Sequence, residues 1–250
     1  MKIYLLLLFL LLSACTGQAE VLPTSTPEPT PFPPCNEAGK EVNDRVSERG
    51  ISFWIYLPPC YKRDVNAEYP LLIWTAGPRQ IADVADEMVM AGEIRPFLIV
   101  SPYAGGGAGF EQKITEELLP YLQDNYRVSS TRDDVSIAGV SHGAGIASRA
   151  AWRYPDRYGR LGVISGGIDG SEDEKFAQWI TAVLPENYPR ILVDIGEDDA
   201  IIPLTTYLTE QLDTYNVPYT FTTAPGGHSA GYWSQHMEEY IQFLVGEDSN

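Results

Sequence analysis

The sequence predicts an α/β fold with a mostly parallel central sheet of about eight strands and helices on both faces. From residue 70 onward, strand patterns alternate with helix patterns along the chain. Parallel strands joined by helices require this order. The strand patterns at 71–74, 97–100 and 191–193 are apolar throughout, which is typical of strands that are covered by helices on both sides.

The individual elements follow from hydrophobic periodicity. Two alternating patterns, at 41–46 and 51–57, predict an antiparallel hairpin at the start of the domain. Further strands are predicted at 70–75, 97–101, 134–138, 161–164, 190–195 and 218–223. Helices are predicted at 81–91, 111–125, 143–153, 172–183, 203–214 and 231–244.

Residues 1–14 are predicted to be a signal peptide. Lys2 precedes ten mostly aliphatic residues, 3–12, a length that is too short to span a bilayer but suits the apolar part of a secretory signal. The run ends in Leu-Ser-Ala-Cys at 12–15, which resembles the lipobox of bacterial lipoproteins. Cys15 is therefore expected to carry lipid. Ordinary signal cleavage with an incidental cysteine is the alternative.

A tether is predicted to join this lipidated cysteine to the folded domain. Residues 15–34 contain six prolines among Thr, Ser and Glu, and such a segment forms an extended stalk rather than a core. The remaining residues, 35–250, suffice for one α/β domain with a sizeable core. The expected location is extracytoplasmic, with the lipid anchor as the only attachment to the cell membrane.

Charge and cysteine content exclude several classes of partner. The formal net charge of −17 argues against nucleic acid, which requires a basic face, and against electrostatic adhesion to anionic lipid. Cys35 and Cys60 bracket the first hairpin and are predicted to form a disulfide in an oxidising compartment, with two free thiols as the alternative. No Cys-x-x-Cys or His-x-x-x-His spacing indicates a metal site.

The segment Gly-Val-Ser-His-Gly at 139–143 lies between a predicted strand and a predicted helix. A G-x-S-x-G nucleophile elbow requires this context, so Ser141 is predicted to be a nucleophile. The backbone N–H of His142 is expected to stabilise an oxyanion, because the first N–H groups of a helix have no partner within it. A chance match is the alternative.

A serine nucleophile needs a base and a carboxylate that orients the base. Of three histidines, His228 lies in a loop directly after the last strand and is predicted to be the base, with an inert loop histidine as the alternative. Asp199 follows the strand at 190–195 and is preferred to its neighbour Asp198. The resulting chain order Ser, Asp, His is that of α/β hydrolases.

Three segments together resemble the esterase D group of α/β hydrolases, which includes feruloyl and acetylxylan esterases, enterochelin esterases and mycolyltransferases. They are the elbow, Gly-x-x-Asp-x-x-Ile-Pro at 196–203 and Gly-Gly-His-Ser-x-x-Tyr-Trp at 226–233. The resemblance covers nearly all of residues 40–245. It implies an α/β-hydrolase fold and carboxylic-ester hydrolysis without a cofactor, with Ser141, Asp199 and His228 as the catalytic residues.

One departure from the family concerns the oxyanion site. Members of the family usually have His-Gly after the strand that corresponds to 71–75, and the next amide donates to the oxyanion. Here that next residue is Pro78, which has no N–H. The second donor is then Gly77, Arg79 or a side chain, or it is missing. Of these, Gly77 is the candidate.

Four residues are predicted to contact substrate. Tyr103 and Phe110 flank a glycine-rich loop after a strand end, and an inert loop is the alternative. Ser165 ends the strand at 161–164 and is expected to border the pocket, while Trp233 follows the base. For Trp233, core packing is the competing interpretation.

The sequence as a whole predicts a lipid-anchored serine esterase with a Ser-His-Asp triad. Its expected substrate is an extracellular ester, either an acyl group on a polysaccharide or a siderophore-like ester. An acyltransferase of the same fold is one alternative. A non-catalytic binding lipoprotein with a degenerate oxyanion hole is the other, and the proline at position 78 is its support.

Overall fold

The computed structural model describes residues 37–47, 50–63, 65–103, 109–168, 171 and 173–246. The predicted signal peptide, the lipobox cysteine Cys15, the tether and Cys35 lie outside the described residues. The anchor and the Cys35–Cys60 disulfide therefore stay predictions. The described residues all belong to one compact unit, Phe32–Asn250.

Eight strands form one sheet in the order β1-β2-β4-β3-β5-β6-β7-β8. β2 runs antiparallel to both β1 and β4, and the remaining pairs are parallel. This arrangement confirms the predicted, mostly parallel sheet and its antiparallel entry hairpin. The strands are β1 Lys40–Arg45, β2 Ser52–Leu57, β3 Leu71–Thr75, β4 Leu98–Pro102, β5 Val135–Val140, β6 Arg160–Ile164, β7 Arg190–Gly196 and β8 Thr220–Ala224.

Eight α-helices are described between or after these strands, and they cover both faces of the sheet. They are α1 Ile81–Ala91, α2 Phe110–Lys113, α3 Leu119–Asn125, α4 His142–Arg153, α5 Asp173–Ala182, α6 Ile202–Thr214, α7 Ala230–Gln235 and α8 Met237–Val245. Among the described residues, no helix combines the length and the apolar character needed to cross a membrane.

The core is divided into two clusters by the sheet. Side chains alternate along β3, so Leu71 and Ile73 belong to one cluster while Leu72 and Trp74 belong to the other. Helices α1 and α8 pack on the cluster that contains Trp74, and α2 to α6 supply apolar side chains to the opposite cluster. Burial of apolar residues on both faces is the reason why these strands read as continuous apolar runs.

Two predicted helices are interrupted in the structure. The segment predicted at 111–125 contains a π-helical turn, Ile114–Leu118, between α2 and α3. The segment predicted at 231–244 breaks at His236, whose φ of −108° and ψ of 8° are not helical. After the break, α8 packs against β5 and β6, whereas α7 stays next to the loop that carries His228. The two helices therefore have different neighbours.

Candidate active site

The carboxyl ends of the parallel strands meet at one edge of the sheet, where ligands bind in folds of this type. Ser141 lies directly after β5 and is the N-cap residue of α4. Its φ of 55° and ψ of −119° are unusual for a residue with a side chain. Its N–H donates to the carbonyl of Ile164 at the end of β6 (2.9 Å). The serine is thus held in a strained turn, a feature that clusters at functional sites.

Close packing against β3 explains the glycine two residues after the serine. A Cβ placed on Gly143 would lie 2.0 Å from the carbonyl oxygen of Thr75, which no side chain tolerates. The hydroxyl of Thr75 also lies 2.9 Å from the carbonyl oxygens of both Ala138 and Gly143, which share its one hydrogen. The start of α4 is therefore fixed directly against the end of β3.

His228 joins Ser141 to Asp199 through hydrogen bonds. Its Nε2 lies 2.9 Å from the Oγ of Ser141, and its Nδ1 lies 3.1 and 3.0 Å from the two carboxylate oxygens of Asp199. The side chain of Asp199 is 0% exposed, while that of His228 is 31% exposed. A buried acceptor, an imidazole and a serine hydroxyl in this order provide a path for proton transfer.

The structure distinguishes between the two neighbouring aspartates. The Oδ1 of Asp199 also accepts a hydrogen bond from the N–H of Ile201 (2.9 Å), which holds the carboxylate toward His228. Asp198 is exposed, and its N–H donates to the carbonyl of Gly226 (2.8 Å). The geometry therefore places Asp199, and not Asp198, against the imidazole. His236 is bonded instead to Glu239 (2.8 Å), away from Ser141.

The expected oxyanion groups lie on two elements. His142 is the first residue of α4, where backbone N–H groups have no partner within the helix. Directly after β3, Ala76 adopts a positive φ of 55°, and the carbonyl of Pro78 accepts a hydrogen bond from Nε1 of Trp74 (3.1 Å). Pro78 thus offers an acceptor and no donor to this edge. The role of Gly77 as second donor stays a prediction.

A cavity of about 240 Å³ opens next to Ser141. It lies between α4, the loop after β6 and the start of α6. Besides Ser141 and His142, its walls consist of three glycines, three aliphatic side chains and one guanidinium: Gly145, Gly166, Gly167, Ile168, Ile201, Leu204 and Arg149. The cavity is smaller than the roughly 300–1,000 Å³ typical of drug-sized ligand sites, and so it suits one side of an ester.

The four predicted substrate contacts have different environments. Phe110 is only 6% exposed and packs in the hydrophobic core, so its assignment as a substrate contact was wrong. It begins α2, whose apolar side faces the sheet. Tyr103 is 49% exposed, and its hydroxyl donates to Asn43 of β1 (2.5 Å). The glycine-rich loop at 104–108 lies outside the described residues.

The polar atoms of the other two residues are bonded to each other. Nε1 of Trp233 donates to Oγ of Ser165 (2.8 Å), and Ser165 is fully buried. The assignment of Ser165 as a direct substrate contact was therefore wrong, because its hydroxyl faces the indole rather than the cavity. Its neighbour Gly166 lines the cavity instead.

Sequence reasoning missed Arg149. This residue lines the cavity, and its Nε lies 3.9 Å from Oε2 of the buried Glu111. Helical periodicity could have identified it, since Gly145 and Arg149 follow one turn apart on the face of α4 that begins at the nucleophile. The aliphatic walls Ile201 and Leu204 carried no comparable signal. No cluster of metal-ligating side chains occurs in the described part of the chain.

The fold and the hydrogen-bonded Ser, His and Asp define an α/β hydrolase. A family model described as "Putative esterase" matches residues 45–244. The chain belongs to this esterase family. It is also similar to an endo-1,4-beta-xylanase/feruloyl esterase of Xylanibacter ruminicola, with 27% identity over 172 residues. That match covers 54% of this chain and 24% of the relative, so the chain spans about a quarter of the length of the curated relative.

Solved structures support the same fold. A ferulic acid esterase superposes with a TM-score of 0.73 at 22% identity, covering 84% of this chain and 99% of its own. A mutant of the feruloyl esterase module from Clostridium thermocellum, complexed with sinapinate, superposes with a TM-score of 0.70 at 20% identity. That alignment covers 87% of this chain and 92% of the module. At these identities the likeness concerns the fold.

Proposed function

We propose that this protein is a serine carboxylic-ester hydrolase in which Ser141, His228 and Asp199 form the catalytic triad. One observation carries the proposal. The imidazole of His228 is within hydrogen-bond distance of the serine hydroxyl at one nitrogen and of the buried carboxylate at the other. A nucleophile, a base and an orienting group in this geometry are the requirements for acyl transfer through a serine.

In the first half of the reaction, Oγ of Ser141 attacks the ester carbonyl while Nε2 of His228 accepts the hydroxyl proton. Asp199 accepts the hydrogen bond from Nδ1–H and stabilises the imidazolium that forms. The negative charge on the former carbonyl oxygen is stabilised by the N–H of His142 at the start of α4. His228 then donates its proton to the leaving alcohol, and an acyl-serine remains.

In the second half, water enters the position of the alcohol. His228 accepts a proton from this water, and the hydroxide attacks the acyl carbonyl. The acid leaves, Ser141 recovers its proton from His228, and no cofactor takes part in either half. If a second alcohol rather than water reached the acyl-serine, the same residues would carry out acyl transfer.

We further propose that the substrate is an acyl ester attached to a polysaccharide. The similarity to feruloyl esterases supports an aromatic acyl group. The cavity beside Ser141 combines the apolar side chains of Ile168, Ile201 and Leu204 with the backbone of three glycines. Such walls suit a flat apolar group, and the cavity volume of about 240 Å³ accommodates an acyl group of that kind.

Two measurements test the activity and the substrate. A fluorophosphonate probe is expected to label the wild-type protein and to leave Ser141→Ala unlabelled. Turnover is then compared for methyl hydroxycinnamates, acetylated xylan and a siderophore lactone, and we expect the hydroxycinnamates to have the highest kcat/KM. An unlabelled wild type that cleaves no ester would instead indicate a binding protein, and a preference for the lactone would move the substrate to the siderophore class.

We also propose that the protein acts outside the cytoplasm and is anchored through lipid on Cys15. The run at 3–12 and the Leu-Ser-Ala-Cys sequence support this location. The test compares how much of the full chain and of its Cys15→Ser variant is found in the membrane fraction of cells. The wild type is expected in the membrane fraction and the variant outside it, and a membrane-bound variant would contradict the anchor.

A further inference from the structure

The helix that follows the base is attached to the strand end beside the nucleophile. α7 begins two residues after His228, and Ser229 caps it by accepting a hydrogen bond from the N–H of Tyr232 (3.2 Å). From this helix, Trp233 extends back toward β6 and donates its indole hydrogen to Ser165 (2.8 Å). The indole and the imidazole of His228 are perpendicular, at 89°, with ring centroids 5.0 Å apart.

Ser165 occupies a strained position that the surrounding structure holds in place. It has a positive φ of 43° and is completely buried. Its N–H donates to the carbonyl of Asp194 on β7 (2.7 Å). Backbone strain in a buried residue persists only where neighbouring contacts fix it, and it is concentrated at functional sites. The hydroxyl of Ser165 is therefore a fixed acceptor for the indole.

The same strand end also holds the nucleophile. Ile164, directly before Ser165, accepts the hydrogen bond from the N–H of Ser141 (2.9 Å). Gly166 directly follows Ser165, and a Cβ on this glycine would lie 2.6 Å from the carbonyl oxygen of Ser141. Ile164 and Gly166 thus lie against the nucleophile. Ser165, between them, is linked to the base through Trp233.

A second set of hydrogen bonds also holds α7 in place. The buried carboxylate of Asp194 accepts hydrogen bonds from the hydroxyls of Thr222 (2.7 Å), Tyr232 (3.3 Å) and Tyr240 (2.6 Å). Burial, together with the nearby carboxylate of Asp194, raises the pKa of the Tyr232 and Tyr240 hydroxyls above their usual range. Both tyrosines therefore remain neutral donors to the carboxylate of Asp194.

We propose that Trp233 and Ser165 act as a pair of positioning residues that hold the imidazole of His228 between Ser141 and Asp199. The proposal rests on the function proposed above. His228 stands on a loop and is 31% exposed at its side chain, so an imidazole without a neighbouring wall could rotate toward solvent. The indole supplies that wall, and its hydrogen bond to Ser165 fixes the orientation of the wall.

The pair is tested with Trp233→Phe, Ser165→Ala and the double variant. Phenylalanine keeps an aromatic ring but lacks the N–H, and alanine removes the acceptor. Each single variant is expected to lower kcat on nitrophenyl acetate about tenfold while KM stays unchanged, because misplacement of a catalytic group affects the chemical step. The double variant is expected to lose about tenfold in all, since either change breaks the same contact.

Two substitutions of the same kind provide controls away from the site. Trp179→Phe changes a tryptophan of α5 that packs near Arg153. Ser136→Ala removes a buried hydroxyl that donates to the carbonyl of Leu244. Both are expected to keep wild-type kcat even if they lower the melting temperature. A loss of kcat in the controls equal to that in the site variants would assign the effect to stability and overturn the proposal.

A spectroscopic measurement decides the question independently of turnover. The proton between His228 and Asp199 gives a far-downfield NMR signal in a fixed hydrogen bond, and we expect this signal in the wild type and both controls. It is expected to broaden or vanish in Trp233→Phe and Ser165→Ala. An intact signal with wild-type kcat in the site variants, or independent losses that multiply to about a hundredfold in the double variant, would overturn the pair. Failure of the wild type to cleave esters would contradict the proposed function alone.

Discussion

The edge of the sheet at which the carboxyl ends of the parallel strands meet has two halves, one after β5, β7 and β8 and one after β3, and they are assembled differently. After β5, β7 and β8, three side chains are joined by hydrogen bonds of 2.9–3.1 Å around a carboxylate that is completely buried. After β3 the chain is also closely packed, with Trp74 bonded to Pro78 and Thr75 bonded across to β5 and α4. That second half offers no side chain for proton transfer, and Pro78 offers no N–H.

The comparison separates two contributions to ester hydrolysis. In the proposed mechanism, the β5–β8 half supplies the groups for nucleophilic attack and proton transfer. The β3 half is predicted to border the place where negative charge develops on the carbonyl oxygen. Loss of an oxyanion donor lowers the rate by a factor that depends on the leaving group, because a good leaving group requires less stabilisation of the oxyanion. The protein is therefore expected to prefer activated esters to alkyl esters.

The largest expected effect concerns the β5–β8 half. Ser141→Ala is expected to lower kcat on nitrophenyl acetate by a factor on the order of 10⁶, because triad members act as a unit. The Ser141→Ala/His228→Ala double variant is expected to be no slower than the single variant. Steady-state kinetics check both values, with circular dichroism as the control for folding. A further loss in the double variant would show that the two residues act independently.

The next effect distinguishes the two aspartates. Asp199→Asn is expected to lower kcat about 10⁴-fold, since an amide cannot hold the productive tautomer of the base or stabilise its cation. The matched variant Asp198→Asn changes an exposed residue and is expected to keep wild-type kcat. Equal losses in the two variants would remove the distinction that the geometry makes.

A smaller effect tests the β3 half. Pro78→Ala returns an N–H to the family's donor position, while the carbonyl that accepts from Trp74 is retained. We expect kcat/KM for alkyl acetates to rise about tenfold, with a change of about twofold or less for nitrophenyl acetate, because a donor matters most for poor leaving groups. Pro185→Ala, in a 3₁₀ turn between α5 and β7, is the control. An unchanged ratio of the kcat/KM values for the two substrates would mean that position 78 does not face the oxyanion.

The smallest effect lies outside both halves. Burial alone would raise the pKa of Asp44 on β1, but hydrogen bonds from Tyr126, the N–H of Arg45 and Tyr121 outweigh it, and the pKa is lower than the usual 3.8. A lowered folded-state pKa stabilises the fold above the unfolded-state pKa, and this contribution is lost as the pH falls through the folded value.

Asp44→Asn is therefore expected to lower the melting temperature slightly at pH 7, and the difference from the wild type should shrink below about pH 4. Turnover at pH 7 is expected to be unchanged. A difference in melting temperature that stays constant down to pH 2 would show that the charge of this carboxylate does not contribute to stability.

Sequence patterns determined most of the fold, because each element is encoded by neighbouring residues. The alternation of apolar strands and amphipathic helices predicts the parallel sheet, and all eight strands occur within two residues of their expected positions. The elbow and the loops with Asp199 and His228 could also be found in the sequence, since their positions relative to strand ends are local properties. The resemblance to esterases then supplied the expected reaction, carboxylic-ester hydrolysis.

Tertiary packing decided which side chains meet. Ser165 and Trp233 are 68 residues apart, and nothing in either local sequence states that their polar atoms bond to each other rather than to substrate. Phe110 follows a glycine-rich loop, yet the packing of α2 on the sheet buries its ring. Periodicity reports how each element is oriented relative to the core. Contacts between distant segments depend on how the strand ends, loops and helices are brought together, and only the folded chain determines that arrangement.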